Sequence, residues 1–366
     1  MNNIKVITTL LLTGAVLAGC GSEAQAAKND RSGSSSAQNS SDITTSFNIG
    51  HLPATGHILY FIAYEEGYFK DEGLDVTLTQ FSNNTEELSA LESGKIDVAP
   101  INATNLINFI GEGHELQSIG GVMSDGHALV VNPEIVRGVD KKDYSLELLR
   151  GKTVILQKGS TYDIEFRIAL KEAGLDLEKD IRIENTESGT TAYASLQSAE
   201  VDGAAVYAPF RQKAIDAGFV PILYCDEIDY FDHPICCRNV ALSKEVSSRP
   251  EVFEAFSRAM IRASSFLESD HAGSVADAKK YLDVDEKILE EEIYNHSINN
   301  PDPDELKTVT FYNAMKELGY VDKEFDITAN INNEIYENAL GSLIKESPDD
   351  EFLQGLQKYH DSAKKE

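Results

Sequence analysis

The chain has no tryptophan, only four methionines and only four cysteines in 366 residues. Four cysteines are too few for a disulfide-built scaffold of this length. Basic residues are also scarce, 32 Lys and Arg against 61 Asp and Glu, for a formal charge of −29. No basic stripe exists to displace phosphate counterions, so nucleic acid is excluded as a partner. The same acidity opposes long-range steering of an anionic ligand. Salt screens such fields within about 8 Å, so a local anion site stays open. Catalytic signatures are missing too: there is no Gly-x-Ser-x-Gly elbow, no His-Glu-x-x-His and no phosphate-cradling glycine-rich loop with a lysine.

What is present is an ordinary apolar fraction, 42%, in a chain long enough for two α/β domains. At the N-terminus Lys5 precedes an apolar run from Val6 to Leu17, the length of a signal-peptide core and too short for a membrane span. It closes with Leu17-Ala18-Gly19-Cys20, which resembles a bacterial lipoprotein cleavage box. The resemblance implies that residues 1–19 are an export signal and that Cys20 becomes the lipidated first residue. Residues 20–46 then read as the lipid anchor and a tether rich in Ser, Gly, Asn and Ala. As a random coil it reaches on the order of 25 to 30 Å. Cys225, Cys236 and Cys237 remain. Cys225 can pair with either neighbour, or all three can be buried free thiols.

Beyond the tether one pattern occurs twice. Leu91-Glu92-Ser93-Gly94-Lys95-Ile96-Asp97-Val98-Ala99-Pro100 reads as a helix end, a tight turn and a short buried strand that delivers Asn102 and Thr104 to a new helix. Leu196-Gln197-Ser198-Ala199-Glu200-Val201-Asp202-Gly203-Ala204 repeats the grammar and runs into Tyr207, Pro209 and Phe210. Around each copy the order is strand, loop, helix, strand, cap, helix, strand. Two copies predict two α/β lobes, and ligands of open α/β sheets gather beyond the carboxyl ends of the strands. The chain is expected to leave the first lobe near Gly126-His127 and return near His233-Pro234, which makes these segments the hinge. Residues 249–366, mostly amphipathic helix broken at Asn299-Asn300-Pro301-Asp302-Pro303, are expected to pack on the first lobe.

Glu65-Glu66-Gly67-Tyr68-Phe69-Lys70-Asp71-Glu72-Gly73-Leu74-Asp75-Val76, followed by the first copy of the repeat, resembles the substrate-binding proteins of nitrate, sulfonate, taurine and thiamine-precursor importers. The resemblance covers most of the mature chain. It implies a type II periplasmic-binding-protein fold, two α/β lobes joined by two crossing strands, with residues 47–128 and 236–366 in lobe 1 and 129–235 in lobe 2. It further implies a monomer on the outer face of the cytoplasmic membrane that hands a small molecule to an ABC permease and its ATPase. No cofactor is expected.

Helix N-termini offer free N–H groups and a partial positive charge to a ligand. The cleft is therefore expected to draw on Thr55 and His57, Asn83 and Asn84, Asn102 and Thr104, Ser160 and Thr161, and Ser188, Gly189 and Thr190. Asn84 and Glu87 have the spacing of a capping box. Tyr162, Tyr207 and Phe210 are either flat walls for a planar ligand or core. His127, His233 and Cys236 lie at the hinge and are expected to touch the ligand. With Cys237 they also suggest a metal, but their spacing is not that of a structural zinc site, and neighbouring strand residues point to opposite faces. The nearest cations are Lys158 and Arg238. Sulfonates, pyrimidines and aromatic acids are the ligand types in view. The alternatives are a thiamine-pyrimidine-synthase-like enzyme on the same fold, a metal receptor, or an adhesion lipoprotein.

Overall fold

The computed structural model describes residues 44–186 and 188–364. The expected leader, Cys20 and nearly all of the tether fall outside them. Strand β1 (Thr45–His51) is followed by helices α1 (Ile58–Glu65) and α2 (Tyr68–Asp71), then β2 (Leu74–Gln80), α3 (Asn84–Glu92), β3 (Ala99–Asn102), α4 (Ala103–Glu112) and β4 (Leu116–Asp125). β1 and β2 pair in parallel, and a bridge from Ile49 to Val98 ties them to the start of β3.

A second sheet opens with β5 (His127–Val131) and continues through β6 (Thr153–Gln157), α5 (Thr161–Glu172), β7 (Arg182–Thr186), α6 (Gly189–Gln197), β8 (Gly203–Tyr207), α7 (Phe210–Asp216) and β9 (Val220–Tyr224). Its strand order is β7-β6-β8-β5-β9. β6 runs parallel to both neighbours, and β5 antiparallel to both of its own. The chain returns on β10 (Ile235–Leu242), which inserts between β3 and β4 of the first sheet. The rest is helical: α8 (Ser243–Ser248), α9 (Pro250–Ser269), α10 (His271–Lys279), α11 (Glu286–Tyr294), a two-residue β11 (Ser297–Ile298) beside β4, α12 (Glu305–Glu317), α13 (Asn333–Glu346) and α14 (Glu351–Ala363).

The repeated sequence pattern has a physical cause. In the first copy Ser93 is the C-cap of α3 and Gly94 turns the chain with φ 68°. Asp97 then accepts a hydrogen bond from the backbone N–H of Asn48 in β1, at 2.7 Å. In the second copy Ala199 takes the left-handed position at φ 57°, and Asp202 accepts from the N–H of Thr153 in β6 at 2.9 Å. In both copies the aspartate pins the helix-to-strand turn to the neighbouring strand.

Asp125-Gly126 and Asp232-His233-Pro234 carry the chain between the sheets side by side, and the Asp125 N–H donates to Pro234 O at 2.9 Å. Asp125, Gly126, Asp232 and His233 have φ of 62°, 94°, 47° and 69°. These are left-handed conformations that only glycine adopts freely. The crossings are thus where the backbone departs from regular strand.

The C-terminal helices differ from expectation. α9 and α13 do cover the first lobe: the α9 residues Phe253, Phe256 and Met260 share one core with Phe47 and Phe61. That cover explains why α1 is buried all round from Ile58 to Ala63. Each such aliphatic or aromatic residue contributes about 1.5–3 kcal/mol relative to exposure. α12, however, places Phe311 and Met315 in a core with Phe166 and Leu170 of α5, so it bridges to the second sheet. α11 does the same through a buried ion pair. Arg211 of α7, 1% exposed, meets Glu292 at 2.7 Å and also donates to the carbonyls of Asn295 and His296.

Candidate ligand-binding site

A cleft of about 180 Å3 lies where the two sheets meet at the crossings. From the first lobe it takes the loop after β1, the Asn84 side chain and the β3–α4 junction. The second lobe adds the β6–α5 junction and the end of β8, and the crossing strands supply Met123, Gly126, His127, Cys236 and Cys237. Thr55, His57, Asn84, Asn102, His127, Ser160, Thr161, Tyr162, Tyr207 and Cys236 therefore come together around one space.

The remaining expected residues lie elsewhere. Asn83 is exposed and caps α3, accepting from the Glu86 N–H at 3.0 Å, while the Glu86 carboxylate accepts from the Ser82 N–H at 3.1 Å. The cap of α3 thus sits one residue earlier than the sequence spacing suggested, at Asn83 rather than Asn84, and the Glu86 carboxylate reaches the residue before it. Thr104 is buried inside α4. Ser188 caps α6, Thr190 points to solvent, and Phe210 packs edge-on against Tyr207 outside the cleft lining. His233 pairs with Asp125 at 2.8 Å on the crossing itself. Gln157, the last residue of β6, and Cys237 line the cleft without having been singled out for it. The position of Gln157 at a strand's carboxyl end was the available signal.

Freed from capping, Asn84 organises the first-lobe wall. Its Oδ1 accepts from the Asn102 N–H at 3.2 Å, from Asn102 Nδ2 at 2.7 Å and from Asn105 Nδ2 at 3.1 Å. Its Nδ2 donates to Glu87 Oε2 at 2.7 Å. Burial, helped by neighbouring Glu86, pushes Glu87 up to about 8 against the pull of that hydrogen bond. Asn102 meanwhile caps α4. On the loop after β1, burial holds His57 at about 3, so the ring is neutral. Its Nδ1 lies 3.0 Å from the Leu52 N–H and 3.2 Å from the Leu52 carbonyl oxygen, so Leu52 can partner either neutral tautomer. The Thr55 hydroxyl is buried with no partner.

The opposite wall is aromatic. The Tyr162 ring lies 5.6 Å from that of Tyr207 and 5.0 Å from that of His127, and its hydroxyl donates to Gln157 Oε1. Gly189 permits this wall, because a Cβ there would sit 2.5 Å from the Tyr207 ring. His127 Nδ1 is 2.9 Å from Glu165 Oε2 and both are buried. Burial raises Glu165 to about 7; for His127 burial acts downward, but the Glu165 carboxylate and nearby sulfurs carry it up. The pair therefore holds a proton at neutral pH. With Cys225, whose sulfur accepts from the His127 N–H at 3.3 Å, these residues form a buried group of metal-ligating type.

Cys236 and Cys237 correct the expectation from strand alternation. Pairing of β10 with β4 shifts register on either side of Cys237, and both sulfurs turn to the cleft, 3.3 Å apart. Both are free thiols, as is Cys225. Cys236 is drawn to lower pKa by the Cys237 thiol, with His127 and Thr161 also stabilising its anion, and Cys237 is pushed up by Cys236. No lysine or arginine is among the residues lining the cleft. Lys158 is exposed, and Arg238 is buried, with its guanidinium turned to Ser124 Oγ and the Asp302 carbonyl.

Two α/β lobes, two crossing strands and a polar and aromatic cleft between them define the type II periplasmic-binding-protein fold. The chain belongs to the NMT1-like family, whose model matches residues 41–280. A Brucella abortus relative named "Putative binding protein" is 26% identical over 242 residues, covering 64% of this chain and 70% of that protein. Among solved structures, the periplasmic aliphatic sulphonate-binding protein SsuA of Escherichia coli superposes with a TM-score of 0.67 at 19% identity, over 80% of this chain and 98% of its own. The periplasmic nitrate-binding protein NrtA of Synechocystis PCC 6803 gives 0.67 at 16%, over 88% and 99%.

Proposed function

We propose that the protein is the exported solute-binding component of an ABC importer, holding a small neutral or weakly charged organic molecule between its lobes and presenting it to a permease. Residues 1–19 serve as the leader, Cys20 carries the lipid, and the segment to residue 46 tethers a monomeric receptor to the outer face of the membrane. Among the described residues no helix is long and apolar enough to cross a membrane. The lobes are taken as 47–128 with 236–366, and 129–235. The protein is read as a binder rather than an enzyme.

The observation that carries the ligand class is the absence of lysine and arginine from the cleft lining, whose His127 is already paired with Glu165. A sulfonate or nitrate would bring a full negative charge into a space whose polar groups are His57, Asn102, Thr55 and the first turns of α4 and α5. Those groups, facing the rings of Tyr162 and Tyr207, suit a planar heterocycle of the pyrimidine type best; an aromatic acid also brings a full charge, but its ring can pack on the aromatic wall, which nitrate and alkylsulfonates cannot use. A thermal-shift screen tests this. A ligand at 100 times its dissociation constant adds about 2.7 kcal/mol. Pyrimidines or aromatic acids are expected to shift the melting temperature and alkylsulfonates and nitrate are not. A shift with the anions alone overturns the ligand class, and product formation overturns the non-enzymatic reading.

A further inference from the structure

The sulfurs of Cys236 and Cys237 face one another at 3.3 Å on the floor of the cleft. Neighbouring residues of a regular strand cannot do this, since their side chains leave opposite faces. Here the register shifts between β10 and β4 bracket Cys237 and bring the pair to one side. The pair is also unequally placed. Cys236 Sγ sits 3.8 Å from His127 Nε2 and accepts from the Thr161 hydroxyl at 3.7 Å, two groups that stabilise a thiolate. Cys237 is the more exposed of the two. Cys225 lies beneath His127, fully buried and outside the lining.

We propose that Cys236 and Cys237 form a redox-labile dithiol that closes to a vicinal disulfide within the ligand cleft. This rests on the exported location proposed above, where disulfide-bearing oxidants are available. In the first step the Cys236 thiolate attacks a low-molecular-weight disulfide such as glutathione disulfide, forming a mixed disulfide and expelling one glutathione thiolate, which takes a proton. In the second, Cys237 loses its proton to solvent, and its thiolate attacks the Cys236 sulfur and expels the second glutathione. Two protein thiols are oxidised and one disulfide is reduced to two thiols. Adjacent Cα atoms are about 3.8 Å apart, closer than the roughly 4.4 Å minimum of ordinary disulfides. The ring is therefore strained and readily reduced, unlike a structural cross-link.

The test treats the purified full-length chain, folded, with glutathione disulfide. Remaining thiols are then alkylated in denaturant, and the Ala214–Arg238 tryptic peptide is cut after Tyr230 and Phe231. The expected product is an Asp232–Arg238 fragment two hydrogens lighter and unalkylated, with the alkyl label retained on Cys225 and full relabelling after dithiothreitol. In C237S, Cys236 should instead accumulate as a glutathione adduct. Alkylation of both Cys236 and Cys237 after oxidant overturns the proposal, as does a bridge to Cys225. The readout needs no ligand, so a closed pair in a protein that binds nothing in the screen would sink the receptor reading while leaving the dithiol standing.

Discussion

Replacing Glu87 with glutamine should remove a pH-dependent liability without disturbing the cleft. Glu87 is 0% exposed, with Oε2 held by Asn84 and Oε1 buried without a partner. Its ordinary value of 4.5 stands at about 8 in the folded protein. The sign follows directly. Below pH 4.5 the carboxyl is protonated in both states and costs nothing. Between 4.5 and 8 the unfolded chain ionises while the folded one keeps its proton, so stability falls as pH rises, and above 8 the loss is complete. At 1.36 kcal/mol per pH unit the full effect is on the order of 5 kcal/mol. Glutamine can still accept from Asn84 but leaves its amide N–H unpaired, costing about 1–3 kcal/mol. The net gain at pH 8 is therefore on the order of 3 kcal/mol, and there is no gain at pH 4. Urea denaturation of both proteins at pH 5, 6, 7 and 8 measures it. Parallel stability profiles would refute the reasoning.

Other consequences are as concrete. Asn102→Ala should lower stability by about 1 kcal/mol through the lost cap of α4 and weaken ligand binding about tenfold, while Tyr207→Ala weakens binding with the fold intact. Isothermal titration beside circular dichroism separates the two effects. Gly121→Ala should cost about 3 kcal/mol or more, because its Cβ would lie 2.2 Å and 2.4 Å from the carbonyl oxygens of Asn300 and Asp302, backbone that has little room to give. Chemical denaturation would show an unchanged midpoint if that contact can relax. Arg211→Met strands Glu292 in the interior and should cost about 3–5 kcal/mol. Recovery of most of that loss in the double variant with Glu292→Leu would identify the pair, and no recovery would contradict it.

The two-lobe architecture could be read from the chain because its signals are local. The Ser-Gly turn at Ser93-Gly94 and the aspartates at Asp97 and Asp202 act within one helix-to-strand unit, and the caps at Asn102, Ser160 and Ser188 act within one turn. Cleft residues at those junctions were visible for the same reason. What escaped depends on distant partners. α12 crosses to the second lobe because α5 presents Phe166 and Leu170 to it, and nothing in the periodicity of residues 305–317 names that partner. Cys237 turns to the cleft through a register shift set by β4. Arg238 looked available for an anion, yet the segment around Asp302 claims it. Asn84 left its capping role because Asn83 took it, which freed the amide to orient Asn102.

The most direct measurement is a crystal structure of the protein with the organic compound that gives the largest thermal shift. The account predicts the molecule between the Tyr162–Tyr207 wall and the Asn84–Asn102 wall, within hydrogen-bond reach of His57 and touching no lysine or arginine. A ligand bound elsewhere, or one held in the cleft by a cation brought in from outside its present lining, would contradict it.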